Sequence, residues 1–134
     1  MTYDLLIQGG TVIDPSQSLH APMDVAISNG VITELAPSLD ASQAATTVDA
    51  RDQLVVPGLI DLHVHVYHRH VPISLEPDSL CAAGGVTTML DAGSAGSLNF
   101  DGFRHDILEP AETQLFGLVN LSCMGLIVAH YGEL

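Results

Sequence analysis

At 134 residues the chain is long enough for one ordinary domain with a core of its own. Its hydrophobic fraction of 47% argues for strands buried on both faces. Its charge balance is strongly one-sided: sixteen acidic side chains stand against Arg51, Arg69 and Arg104, there is no lysine, and the formal net charge is −13. Three scattered arginines cannot make a basic patch, which excludes nucleic acid as a partner. The acidic surface aids solubility and suits cation binding.

The opening Met1-Thr2-Tyr3-Asp4 has no positive segment ahead of its apolar run, so it does not read as a secretory signal. Tyr3 to Gln8 then forms a strand-like run that meets Gly9-Gly10, and Thr11 to Ile13 makes another that ends at Asp14-Pro15. Met23 to Ser28 and Val31 to Leu35 flank Asn29-Gly30. That dipeptide between two strands predicts a hairpin, because a type I′ turn needs positive φ at both central positions. Ser38 to Thr47 is a small polar connection, and Thr47 to Asp49 one more short strand. Residues 1–56 are therefore expected to be a small all-β module.

After Pro57-Gly58 the pattern changes. Leu59 to Val66 reads as a strand, Asp78 to Ala83 as a short helix capped by Asp78, and Gly84-Gly85 as its end. Val86 to Asp91 is a second strand, Phe100 to Leu108 a helix closed by Pro110, and Leu115 to Leu121 a third strand. Strands alternating with helices at this spacing predict a parallel α/β arrangement over 57–134. The apolar stretch from Leu115 to Ala129 is broken by Gly117, Asn120, Ser122 and Gly125. It falls short of the roughly 20 residues that span a bilayer, so no membrane partner is expected. Cys81 and Cys123 lack C-x-x-C spacing and are expected to be free, buried thiols in a reducing cytoplasm.

The chemistry concentrates in Asp61-Leu62-His63-Val64-His65. Strand alternation puts His63 and His65 on one face, with Leu62, Val64 and Val66 on the other. Two imidazoles near the C-terminal end of a strand can converge on one metal ion, and their apolar flanks make two unpaired buried imidazoles costly. Asp61 shares that face one pleat deeper and is expected to make a structural contact. Asp91, ending the second strand, either orients one of these histidines by a hydrogen bond or serves as an N-cap or turn carboxylate; the sequence leaves both open. His68, Arg69 and His70 are expected in a solvated loop, with Arg69 free to meet a substrate carboxylate. Asn120 and Ser122 read as polar termination of a strand, His130 as a surface residue, and Met89, Met124, Phe100 and Phe103 as core.

Val55-Val56-Pro57-Gly58-Leu59-Ile60-Asp61-Leu62-His63-Val64-His65 resembles the start of the barrel in the amidohydrolase superfamily, and Ile7 to Asp14 resembles the β module that precedes it. Ala82 to Asp91 is similar to the second barrel strand of dihydroorotase- and hydantoinase-like members, and Asp91-Ala92-Gly93-Ser94-Ala95-Gly96 to the deacetylase-type branch. The resemblance implies a (β/α)8 TIM-type barrel beside a small β-sandwich, of which this chain would hold part of the sandwich and the first three barrel strands. It implies a cofactor of zinc or another divalent metal, binuclear in complete members, with His63 and His65 as two of its ligands. It also implies hydrolysis of an amide or ester bond of a small molecule through a metal-bound hydroxide.

The other ligands in such enzymes, a carboxylated lysine among them, come from later strands. The chain has no lysine and is expected to be an incomplete N-terminal fragment, without catalytic residues of its own and inactive alone. A cyclic-amide hydrolase is the nearest alternative activity, and a non-catalytic remnant or interaction piece the alternative of another class. Three strands cannot close a barrel, so a homo-oligomer or an aggregation-prone chain is expected.

Overall fold

The computed structural model describes residues 2–127, so His130 lies outside the described residues. The chain forms two units, Met1–Pro57 and Gly58–Leu134.

In the first unit, β1 (Tyr3–Asp14) is a single long strand where the sequence suggests two. It runs through Gly9-Gly10 because Gly9 takes φ +77° and the pairing with β2 slips between Ile7 and Gly10, a bulge that bends the strand without ending it. β2 (Leu19–Ser28) pairs antiparallel with β1 and with β3 (Val31–Ala36). Asn29 and Gly30 have φ of 51° and 74°, the positive pair that the hairpin turn requires. β4 (Ala44–Asp49) and the two-residue β5 (Leu54–Val55) run parallel to β1, giving the sheet order β3-β2-β1-β4 with β5 beside β1. Leu6 and Ala26, both fully buried, centre a small core with Tyr3.

The second unit is a three-stranded parallel sheet, β6 (Leu59–Val64), β7 (Val86–Asp91) and β8 (Gln114–Gly117), in that order. The first and third strands are shorter than expected, since residues 65–66 and 118–121 leave the ladder. α1 (Pro77–Gly84) connects β6 to β7. Its cap is Glu76, not Asp78: the Glu76 carboxylate accepts from the backbone N–H groups of Asp78 and Ser79. Asp78 instead reaches across to accept from Glu112 and Thr113 N–H, tying the helix to the segment before β8. α2 (Phe100–Phe103) passes directly into a wider π turn over Arg104–Leu108.

The helices cover one face of this sheet. Val64, Val66, Met89, Phe103 and Ile107 are buried together there. Met124, at 36% exposure, and the exposed Cys123 fall outside this core, contrary to expectation; Cys81 is half-buried, and both thiols are free. No helix among the described residues is long and apolar enough to cross a membrane.

Candidate metal centre

Parallel α/β sheets present their functional groups at the C-terminal ends of the strands, and β6 brings His63 there, with His65 just past its last residue. The simple alternation read from the sequence fails at this point. Asp61 pairs with Met89 and Val64 with Asp91, so three steps on β6 oppose two on β7. One extra residue is accommodated, and Leu62 is 71% exposed while Val64, two residues on, is only 8% exposed. The cause is Asp61, whose Oδ1 accepts from the His63 N–H at 2.9 Å. A side chain that takes a backbone donor in this way competes with the ladder and stabilises a bulge.

The two imidazoles nevertheless meet. Their ring centres are 5.6 Å apart and their planes cross at 87°. Two imidazoles bonded to one tetrahedral zinc at about 2.0–2.1 Å bring their ring centres to roughly 5 Å, so this spacing fits a shared metal. His63 is exposed and His65 half-buried.

His65 Nδ1 lies 3.0 Å from Ser94 Oγ, and Ser94 is completely buried. Asp91, also completely buried, makes no bond to either histidine. Its Oδ2 accepts from Val66 N–H at 2.8 Å, and its Oδ1 from Gly93 N–H at 3.0 Å and Ser94 N–H at 2.6 Å. The Asp91 carboxylate is thus filled by backbone donors, the arrangement of a turn carboxylate. It holds the residue after His65 and the turn that carries Ser94. Ala92 N–H adds a bond to Val64 O at 2.9 Å, joining the same two strand ends.

Ser94 is the site residue that sequence reasoning passes over. The signal was present in Asp91-Ala92-Gly93-Ser94: an aspartate followed by glycine and serine favours a turn in which the carboxylate collects the next free N–H groups. The turn is clamped from outside as well. A Cβ on Gly125 would stand 2.3 Å from Ser94 O, and one on Gly96 would stand 2.0 Å from Ser122 O, so glycine is needed at both close approaches. Asn120 donates to Gly93 O and accepts from Ser122 N–H, closing the segment after β8 rather than lining a pocket.

Of the loop histidines, His70 is exposed as expected and His68 is half-buried. Among the described residues His68 Nδ1 is buried without a partner, and His70 stacks on Tyr67 with ring centres 4.4 Å apart. Burial, and then the nearby Asp106 carboxylate, push the Tyr67 phenol above its ordinary pKa. Arg69 is exposed, with φ +67°. Among the described residues no group of three or more His, Cys, Asp or Glu side chains is placed to hold a metal ion. Two imidazoles are suitable nitrogen donors for zinc; they are two of the four positions such an ion fills.

No family model matches the chain. Individual proteins do. It is 39% identical over 111 residues to a deacetylase of Brucella anthropi, covering 82% of this chain and 28% of that protein. It is 40% identical over 89 residues to a dihydroorotase of Geobacter metallireducens, covering 64% of this chain and 21% of that protein. Among solved structures, a dihydroorotase superposes with a TM-score of 0.82 at 34% identity, covering 93% of this chain and 33% of the other. The chain belongs to the amidohydrolase superfamily. It matches the N-terminal region of these proteins and spans about a third of their length or less. A D-aminoacylase structure described by its binuclear metal centre also superposes, with a TM-score of 0.51 at 28% identity over 72% of this chain and 20% of the other.

Proposed function

We propose that this amidohydrolase chain contributes His63 and His65 as the first two ligands of a metal centre that hydrolyses an amide or ester bond of a small molecule, in the manner of the deacetylase branch. The observation that carries the reading is the convergence of the two imidazoles at 5.6 Å on a bulge built by Asp61. A divalent metal held there supplies Lewis-acid polarisation of a carbonyl and a water of lowered pKa. The chain's own part is to present two imidazoles at the mouth of the sheet and to fix the ring of His65 from behind. In this reading Met1–Pro57 is part of the small β-sandwich, and the second unit holds the first three strands of a (β/α)8 barrel. The likeness to the Brucella anthropi deacetylase over 82% of the chain supports the deacetylase branch. The superposition on a dihydroorotase favours a cyclic-amide hydrolase as the second reading. The two free thiols agree with a reducing compartment such as the cytoplasm.

Among the described residues no further ligand joins His63 and His65, and the sequence includes no lysine to carry a carbamate. The chain by itself therefore binds zinc loosely and releases no acetate from N-acetylated substrates. Zinc titration followed by calorimetry tests the ligand assignment. Weak binding that disappears when His63→Ala and His65→Ala are combined is the expected result. Tight binding that survives the double substitution would move the ligands elsewhere.

A further inference from the structure

We infer that Ser94 is a positioning residue for His65, setting which ring nitrogen faces outward, an inference that rests on the metal-centre reading and deepens it. Three observations converge on it. His65 Nδ1 lies 3.0 Å from Ser94 Oγ, a hydrogen-bond distance to a side chain with no solvent exposure. Ser94 has little freedom to move: its N–H is held by Asp91 Oδ1 at 2.6 Å, and its carbonyl accepts from Leu126 N–H at 3.0 Å. Asp91 also grips Val66 N–H at 2.8 Å, immediately after His65, so one buried carboxylate fixes both the ring's backbone and the ring's partner.

Only one tautomer makes this arrangement useful to a metal. When Nδ1 carries the proton and donates it to Ser94 Oγ, the Nε2 lone pair is free to bind. When Ser94 donates to Nδ1, the proton sits on Nε2 and blocks it. Metal-binding histidines generally hold their other ring nitrogen in such a bond, and losing it typically costs 10–100-fold in metal affinity. Ser94 supplies that bond here from a neighbouring turn, and the bond requires β6 and β7 to end side by side.

The test uses the 134-residue chain labelled with nitrogen-15, free of metal, at a pH about two units above the ordinary histidine pKa of about 6.5. Long-range imidazole correlations identify the protonated nitrogen directly. The wild-type chain is expected to carry the His65 proton on Nδ1, Ser94→Ala to release the ring from that tautomer, and Ser94→Thr, which keeps a hydroxyl, to restore it. Zinc titration of the same samples is expected to show affinity reduced by about tenfold in Ser94→Ala and recovered in Ser94→Thr. A wild-type proton on Nε2, or a tautomer and zinc affinity unchanged in Ser94→Ala, overturns the inference. Where the threonine methyl does not fit, the alanine tautomer decides alone. A wild-type chain without His63- and His65-dependent zinc binding counts instead against the metal-centre reading, and the tautomer still decides the role of Ser94.

Discussion

Asp91 shows how much of the candidate site can hang on one residue whose bonds go to the main chain. Its carboxylate is fully buried and accepts three backbone N–H bonds, from Val66, Gly93 and Ser94. Charged acceptors make the stronger hydrogen bonds, and buried donors left unpaired carry a desolvation penalty of their own. Asp91→Ala is therefore expected to destabilise the second unit by on the order of 3 kcal/mol. Chemical denaturation monitored by circular dichroism measures this; a change below about 1 kcal/mol would mean that water replaces the carboxylate without loss. At this scale the sequence was partly legible. The H-x-H pair and Asp91 stood out by residue type and spacing. The buried Ser94 did not, because a serine acquires meaning only through a partner 29 positions away. Asp61 reads from the sequence as a structural contact, yet its capture of the His63 N–H, which sets the strand's local register, shows only in the backbone geometry.

The elements were easier to locate than to terminate. Asn29-Gly30 fixed its hairpin because few residues tolerate positive φ twice in succession. Strand ends were misjudged where side chains displace ladder bonds, as Asp61 does in β6. The long β1 reads from the sequence as two strands because a glycine pair can mark either a turn or a bulge. Asp24 stabilises the bulge in β1. It is buried and accepts from Gly9 N–H at 2.8 Å, Leu39 N–H at 2.9 Å and Gln8 Nε2 at 3.2 Å. Burial pushes its pKa up, but the bonds from Leu39, Gly9 and Gln8 together outweigh it and hold the carboxyl below its ordinary value. A carboxyl depressed in the folded state contributes stability above its unfolded pKa of about 3.9, and that contribution is lost as pH falls through the lower folded value. Asp24→Asn is thus expected to lower the denaturation midpoint of the first unit at pH 7 and to converge with the wild type in stronger acid. A stability gap independent of pH would show that shape rather than charge holds the bulge.

For the whole chain, the decisive feature is the face of the parallel sheet that the described residues leave exposed. Parallel strands are ordinarily covered on both faces, and here α1, α2 and the π turn cover one. On the other, Ile60 is 62% exposed, Leu62 71%, Phe116 52% and Leu118 53%. Among the described residues β6 and β8 each pair only with β7, so two edges keep free backbone donors and acceptors. The amidohydrolase relatives are about three times as long as this chain or longer, and the sheet matches the start of their fold. An apolar face of this kind, bordered by open edges, promotes contact between chains, while the net charge of −13 opposes it through mutual repulsion. Charge repulsion is screened over about 10 Å at 0.1 M salt, whereas burial of apolar surface is not. Association of the 134-residue chain is therefore expected to increase with salt as well as with protein concentration. Light scattering and sedimentation measure it, and replacing Leu62 and Phe116 together with serine is expected to reduce it at every salt concentration. A chain that stays monomeric in high salt, or a double variant that associates as readily as the wild type, would show that this face isn't where the chains meet.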